Sequence, residues 1–292
     1  MINKNQNLKR TFLPVKYDVI FRLFFADERN EDELMAFLKS ILRLSNDEYE
    51  SIEIADPHLL PDYTDDKYAV IDVKLYTKNR KIIHIEVQLQ VSPLMINRIV
   101  YYDAKLITEQ MGAGDSYDEI HKVISIIITD ENLIPNSKKY HHRFTFYDPK
   151  ANIEFTDIIE INSIELHKLP DTADGTDLYD WAKFIAAETE EDLDMVAKRN
   201  SQIGRAVVKL RELSTDEQAR DMFERREKGR RDVMALTDKA NKEGRMEGRM
   251  EGRMEEKADI ARNLLYINIP IEQIITATGF TREEVEALRK TK

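Results

Sequence analysis

The chain of 292 residues is 42% hydrophobic, enough for one sizeable core with an appendage, and its lack of cysteine excludes disulfides and thiolate metal sites. No run of about 18 apolar residues is present and the first ten residues hold no signal-like apolar stretch, so a cytoplasmic protein with no membrane partner is expected. The formal net charge of −11 weighs against nucleic acid, but residues 1–30 and 67–110 each carry +3 against −9 over 31–66, so a local basic surface is not excluded.

From Pro14 to about Leu44, apolar residues recur at helical spacing (Val19, Ile20, Leu23, Phe24, then Leu34, Phe37, Leu38, Ile41, Leu42) and predict one or two helices. Residues 51–55 read as a short strand. Residues 68–77 (YAVIDVKLYT) and 81–91 (KIIHIEVQLQV) alternate strictly and are rich in β-branched residues, predicting two strands joined by the tight loop Lys78-Asn79-Arg80. Pro93 opens a helix running to about Met111, ended by Gly112 and Gly114. Further strands are predicted at 121–129, 142–148 and 153–161, and from Leu178 onward the pattern is helical, with Trp181, Phe184 and Ile185 as core. The reading is an α/β core followed by an all-helical tail.

The hairpin carries the chemistry. Ala69, Ile71, Val73 and Leu75 in its first strand, and Ile83, Ile85, Val87, Leu89 and Val91 in its second, are apolar. Asp72 and Lys74, and His84, Glu86, Gln88 and Gln90, lie at the even positions between them. If both apolar faces join one core, odd must oppose odd and even must oppose even. A three-residue loop gives that parity: Thr77 faces Lys81 and, counting back, Asp72 faces Glu86. Opposed Cβ atoms lie roughly 4.5–5.5 Å apart, so two carboxylates there repel unless a cation neutralises them. Hard oxygen ligands suit Mg²⁺ or Mn²⁺. Gln88 points the same way and is placed to position a water or a phosphate. The competing reading is an ordinary solvated Asp/Glu pair on an open sheet face. His84, with no His or Cys partner nearby, reads as structural.

KYDVIFRLFF (16–25), AVIDVKLY (69–76), IHIEVQLQ (beginning Ile83), RIVYYDAKL (98–106) and GDSYDEIHKVISIII (114–128) occur in that order. Together they resemble the recombination-promoting nuclease (Rpn) family of transposase-like proteins with the PD-(D/E)XK fold, over about residues 12–170. The resemblance implies a restriction-endonuclease-like core of helix, three strands, helix and strand, here with extra strands. It implies that Asp72 and Glu86 bind the catalytic metal, with the Val87 carbonyl as a further ligand and Asp18 as the acidic position that completes the shell. Gln88 stands where most of the superfamily carries lysine; an amide orients a water but cannot take its proton. The activity implied is Mg²⁺-dependent hydrolysis of DNA phosphodiesters, with Arg98 and Lys74 as candidates for phosphate contact.

Four segments are expected: a nuclease-like domain over 1–170, a helical extension over 171–242, an EGRM-repeat linker helix over 243–257 and a helix-turn-helix-like module over 258–292. In the repeat, Glu and Arg are two apart and cannot pair within a helix, and each glycine costs about 1 kcal/mol relative to alanine. The segment is either loosely ordered or supported along its stripe of Met246, Met250 and Met254 by a second chain, making a homo-oligomer, or by the final module. In that module Pro270 starts a helix, Gly279 ends it, and Thr281 with Glu284 forms a capping box. The mixed charge of TREEVEALRK argues against a major-groove reader. Two alternatives to an active nuclease stay open: a degenerate relative that binds nucleic acid without cutting, and a helical interaction protein acting through its tail.

Overall fold

The computed structural model describes residues 11–49, 52–55, 58–59, 69–70 and 72–290. The chain forms two compact units, Met1–Arg225 and Arg226–Lys292. In the first, α1 (Asp18–Phe25) and α2 (Glu31–Ile41) are followed by the short α3 (Asn46–Tyr49) and by strands β1 (Glu53–Ala55), β2 (His58–Leu59), β3 (Ala69–Val70), β4 (Val73–Tyr76) and β5 (Ile82–Gln88). Helix α4 (Met95–Thr108) leads to β6 (Val123–Thr129), β7 (His141–Asp148) and β8 (Ile153–Glu165). Then come α5 (Asp177–Ala186), α6 (Glu190–Arg199), α7 (Ser201–Leu213) and α8 (Glu217–Tyr266).

Six strands form one sheet in the order β1-β4-β5-β6-β8-β7, while β2 and β3 pair separately. The predicted α/β core is present. The strand expected over 68–77 is interrupted, however: β3 leaves to pair with β2, and Asp72 is a bend before β4 begins. The hairpin register is the one parity requires, with Val73↔Ile85, Lys74↔His84 and Leu75↔Ile83. Its loop explains the register. The Thr77 N–H donates to the Lys81 carbonyl at 3.0 Å, the Arg80 N–H donates to the Thr77 carbonyl at 2.8 Å, and Arg80 takes φ 57°. A turn closed by a residue in the left-handed region is the usual three-residue hairpin connection.

The odd face of the hairpin is core. Val73, Leu75, Ile83, Ile85 and Val87 pack in one cluster with Ile124, Ile126 and Ile128 of β6. α1, α2 and α5–α7 bury their apolar sides in the same cluster. Its centre is aromatic: Phe21 lies 4.6 Å from Phe25, Phe25 lies 5.2 Å from Phe37, and Phe37 lies 6.0 Å from Trp181, centroid to centroid. Trp181, Phe184 and Ile185 are core as expected, and helices α5–α7 share the core of the sheet rather than standing apart from it. The even face is covered by α4, whose Met95, Ile99, Asp103 and Leu106 are buried at helical spacing. The face that the competing reading leaves open to solvent is therefore an interior one.

In the second unit, Ala261 of α8 meets Ile274 of α9 (Ile271–Thr278), Phe280, and Val285 of α10 (Arg282–Lys290). Gly279 takes φ 72° at the end of α9, a conformation that favours glycine. The Thr281–Glu284 capping box is present, with the Thr281 N–H donating to Glu284 Oε2 at 2.7 Å and the Glu284 N–H donating to Thr281 Oγ1 at 3.3 Å. The EGRM repeat lies within α8 as regular helix, yet Met246, Met250 and Met254 are 67%, 67% and 52% exposed. Of the alternatives for this stripe, cover by the final module is not what the structure has: the buried core of that module begins at Ala261, beyond the repeat.

The outer strands are tied by Glu160 of β8, which accepts from Arg143 of β7 at 2.9 Å, from Lys122 beside β6 at 2.8 Å and from Asn162 at 3.0 Å. Burial works against the Glu160 charge, but these donors outweigh it and hold the carboxyl down at about 2. A carboxyl below its ordinary 4.5 stabilises the native state above that pH, and the contribution disappears as pH falls toward 2. We expect Glu160→Gln to cost on the order of 2–3 kcal/mol at pH 7. In urea unfolding across a pH series, the gap between wild type and variant should stay constant above about pH 5 and close between about 4.5 and 2; a gap that persists at pH 2 contradicts the assignment.

Candidate active site

Extending the β4–β5 register by one step places Asp72 opposite Glu86. One residue further along β5, the Val87 N–H donates to Asp72 Oδ2 at 2.7 Å. A residue in a strand sends its N–H and its carbonyl to the same edge, so the Val87 carbonyl also faces the β4 side.

Glu86 is 7% exposed. Its Oε1 accepts from Arg98 Nη2 of α4, and its Oε2 is buried with no hydrogen-bond partner. The same Arg98 nitrogen donates to Gln88 Oε1 at 3.1 Å, and the guanidinium carbon lies 5.9 Å from the centre of the Tyr102 ring. Arg98 and Tyr102 are four apart on α4 and so share a face. Burial pushes the Asp72 carboxyl up to about 7 against the pull of the Val87 N–H; the charges of Asp18 and Glu86 push it further and that of Arg22 eases it. Asp18 and Arg22 are likewise four apart, on α1. The site therefore draws on α1, the bend just before β4, the end of β5 and the first turns of α4.

Of the residues singled out in the sequence, the structure brings Asp72, Glu86, Val87, Gln88 and Arg98 together, and places Asp18 within electrostatic reach of Asp72. Lys74 is a correction. It is buried, its Nζ lies 3.8 Å from Glu109 beyond the end of α4 and 5.6 Å from the Tyr76 ring centre, and it pairs across the ladder with His84, so it turns to the interior instead of to a phosphate. His84 is structural, as expected. Its Nε2 lies 2.9 Å from Asp103 Oδ1 and 2.5 Å from Ser125 Oγ, and all three side chains are buried. Although Ser, His and Asp meet here, both partners crowd one imidazole nitrogen, whereas acyl transfer needs one on each nitrogen. Arg22 escaped the sequence reading, although its position one helical turn after Asp18 was visible there.

The donor set suits a hard divalent cation. The half-buried Asp72 stands opposite the buried Glu86, one oxygen of Glu86 is left unpaired, and a guanidinium already sits against the other. Among the described residues no three His, Cys, Asp or Glu side chains group closely enough to hold an ion by themselves. No helix among the described residues is long and apolar enough to cross a membrane.

The family described as PD-(D/E)XK nuclease family transposase matches residues 15–240. No curated protein and no solved structure matches the chain.

The electrostatics generate a prediction of their own. An acid whose native pKa is raised from 3.8 to about 7 binds more protons folded than unfolded between those values, so native stability falls as pH rises through that window and the full cost stands above 7. Asp72→Asn keeps an oxygen for the Val87 N–H and removes the charge. In chelator at pH 8 it should stabilise the protein by about 1–2 kcal/mol, an advantage that vanishes near pH 4. Mn²⁺ should then raise the melting temperature of the wild type but not of the variant. A variant that melts with the wild type in chelator at pH 8 overturns the account.

Proposed function

The chain belongs to the PD-(D/E)XK nuclease family of transposases, and we propose that it is a Mg²⁺- or Mn²⁺-dependent endonuclease that hydrolyses DNA phosphodiesters in recombination or transposition. The observation that carries this reading is the register that sets Asp72, just before β4, opposite Glu86 near the end of β5, with the Glu86 Oε2 buried and unpaired. Asp72 and Glu86 are the residues that would hold the ion, with the Val87 carbonyl on the same strand edge. The ion supplies charge neutralisation at the phosphate and activation of a water.

The remaining work falls to the protein. The Val87 N–H fixes the Asp72 carboxylate, so the ligand is oriented before anything binds. Arg98 carries the positive charge nearest Glu86 and Gln88 and is the candidate phosphate contact, a role for which a planar guanidinium is suited. Gln88 has no proton-accepting nitrogen and serves to position a water or a phosphate oxygen. Asp18 lends negative charge from α1, while Arg22 offsets part of the repulsion felt by Asp72.

A second reading, a relative that binds nucleic acid without cutting it, draws on the amide at Gln88 where lysine is usual. Incubation of the purified chain with supercoiled plasmid in Mg²⁺, Mn²⁺ or chelator separates the two. We expect metal-dependent nicking and linearisation, abolished by Asp72→Ala and by Glu86→Ala, with both variants retaining wild-type far-ultraviolet circular dichroism. Plasmid that is retarded on a gel but uncut in either metal favours the binding reading, and cleavage by either variant at the wild-type rate removes these carboxylates from the mechanism.

A further inference from the structure

The bridge formed by Arg98 has a consequence for Gln88. A guanidinium holds only donors, so the Gln88 atom facing Arg98 at 3.1 Å must be the carbonyl oxygen, and the amide cannot be flipped without setting donor against donor. Arg98 is itself anchored: Nη2 also donates to Glu86 Oε1, the side chain lies against Tyr102, and its Nε is buried with no partner. The Gln88 Oε1 is therefore engaged, and its Nε2 is left as the end of the side chain free to donate. Gln88 is half-buried where β5 ends, two residues beyond Glu86 on the same strand face.

We infer that Arg98 is a positioning residue that locks the Gln88 amide with its NH₂ group outward, making Gln88 a hydrogen-bond donor to a non-bridging phosphate oxygen of the substrate backbone rather than an acceptor that orients water. This rests on the nuclease reading for the identity of the substrate, but not on cleavage. A lysine ammonium donates in any rotation and needs no neighbour to orient it, whereas an amide at this position donates outward only when something holds its oxygen. The guanidinium has a second effect on the same carboxylate: it occupies Glu86 Oε1, so a cation taking that oxygen must displace it.

A double-mutant cycle tests the lock. Affinity for a short DNA duplex is measured by fluorescence anisotropy in Ca²⁺, for wild type, Arg98→Met, Gln88→Ala and the double variant. Loss of a hydrogen bond to a charged group corresponds to roughly ten- to a hundredfold. We expect Arg98→Met to weaken binding by at least about threefold more in the native background than in the Gln88→Ala background. Any effect of Arg98 on the overall field, of a phosphate contact of its own, or of the freed Glu86 charge is common to both uncharged backgrounds at position 88 and cancels in the cycle. Equal losses in the two backgrounds overturn the inference, as does a Gln88→Ala variant that binds DNA as tightly as wild type. Calorimetry with Mn²⁺ and no DNA provides a second reading: Arg98→Met should bind the ion several-fold more tightly, and unchanged or weaker binding contradicts competition for Glu86. Neither measurement uses turnover, so a chain that never cuts plasmid defeats the proposed activity and leaves the lock to be judged on binding alone.

Discussion

The pairing of β4 with β5 in the register Val73↔Ile85 decides which side chains of the hairpin enter the core and which meet α4. A slip of one residue turns every side chain of a strand to the other face. Here it would expel Ile83, Ile85 and Val87, each fully or almost fully buried, at about 1.5–3 kcal/mol apiece. The carboxylates of Asp72 and Glu86 are thus set opposite each other by the packing of apolar neighbours. Their mutual repulsion works against the arrangement, but it is small beside the cost of misplacing the apolar face.

The even face of the sheet changes character along its length. Where β5 and β6 begin, Ile82 and Val123 pack with Leu106 in an apolar cluster. One rung further, His84 and Ser125 meet Asp103, polar but internally bonded and closed to solvent. Another rung on stands Glu86, with Gln88 beyond it at the strand end. Because α4 lies over all of these rungs, the interior gives way to a site without any change of scaffold. The carboxyl-terminal ends of parallel strands, where this progression finishes, are where open α/β sheets commonly bind ligands.

Helices far along the chain complete the frame. Phe21, Phe24 and Phe25 anchor α1 among Phe37, Trp181 and Phe184, and this packing presents Asp18 and Arg22 from the same helix to Asp72. Just before α1, the buried Lys16 pairs with Asp130 at the end of β6 and with Glu188 after α5, tying the start of the helix to both. A change in α5 would therefore reach the site through the position of α1, although no residue of α5 belongs to it.

Much of this was legible in the chain itself, because it depends on local period. Strict alternation over YAVIDVKLYT and KIIHIEVQLQV, with a three-residue loop between them, determined the parity that sets Asp72 against Glu86. Capping residues and glycines likewise marked the helices of the second unit. Tertiary structure alone decided the bend at Asp72, since a strand's pairing partner is not encoded in its alternation, and it alone turned Lys74 inward to Glu109. It alone also joined Arg98 to both Glu86 and Gln88. Those side chains lie on different elements, 12 and 10 residues apart, and their meeting depends on how α4 seats its apolar stripe on the sheet, a matter of packing that no local pattern records.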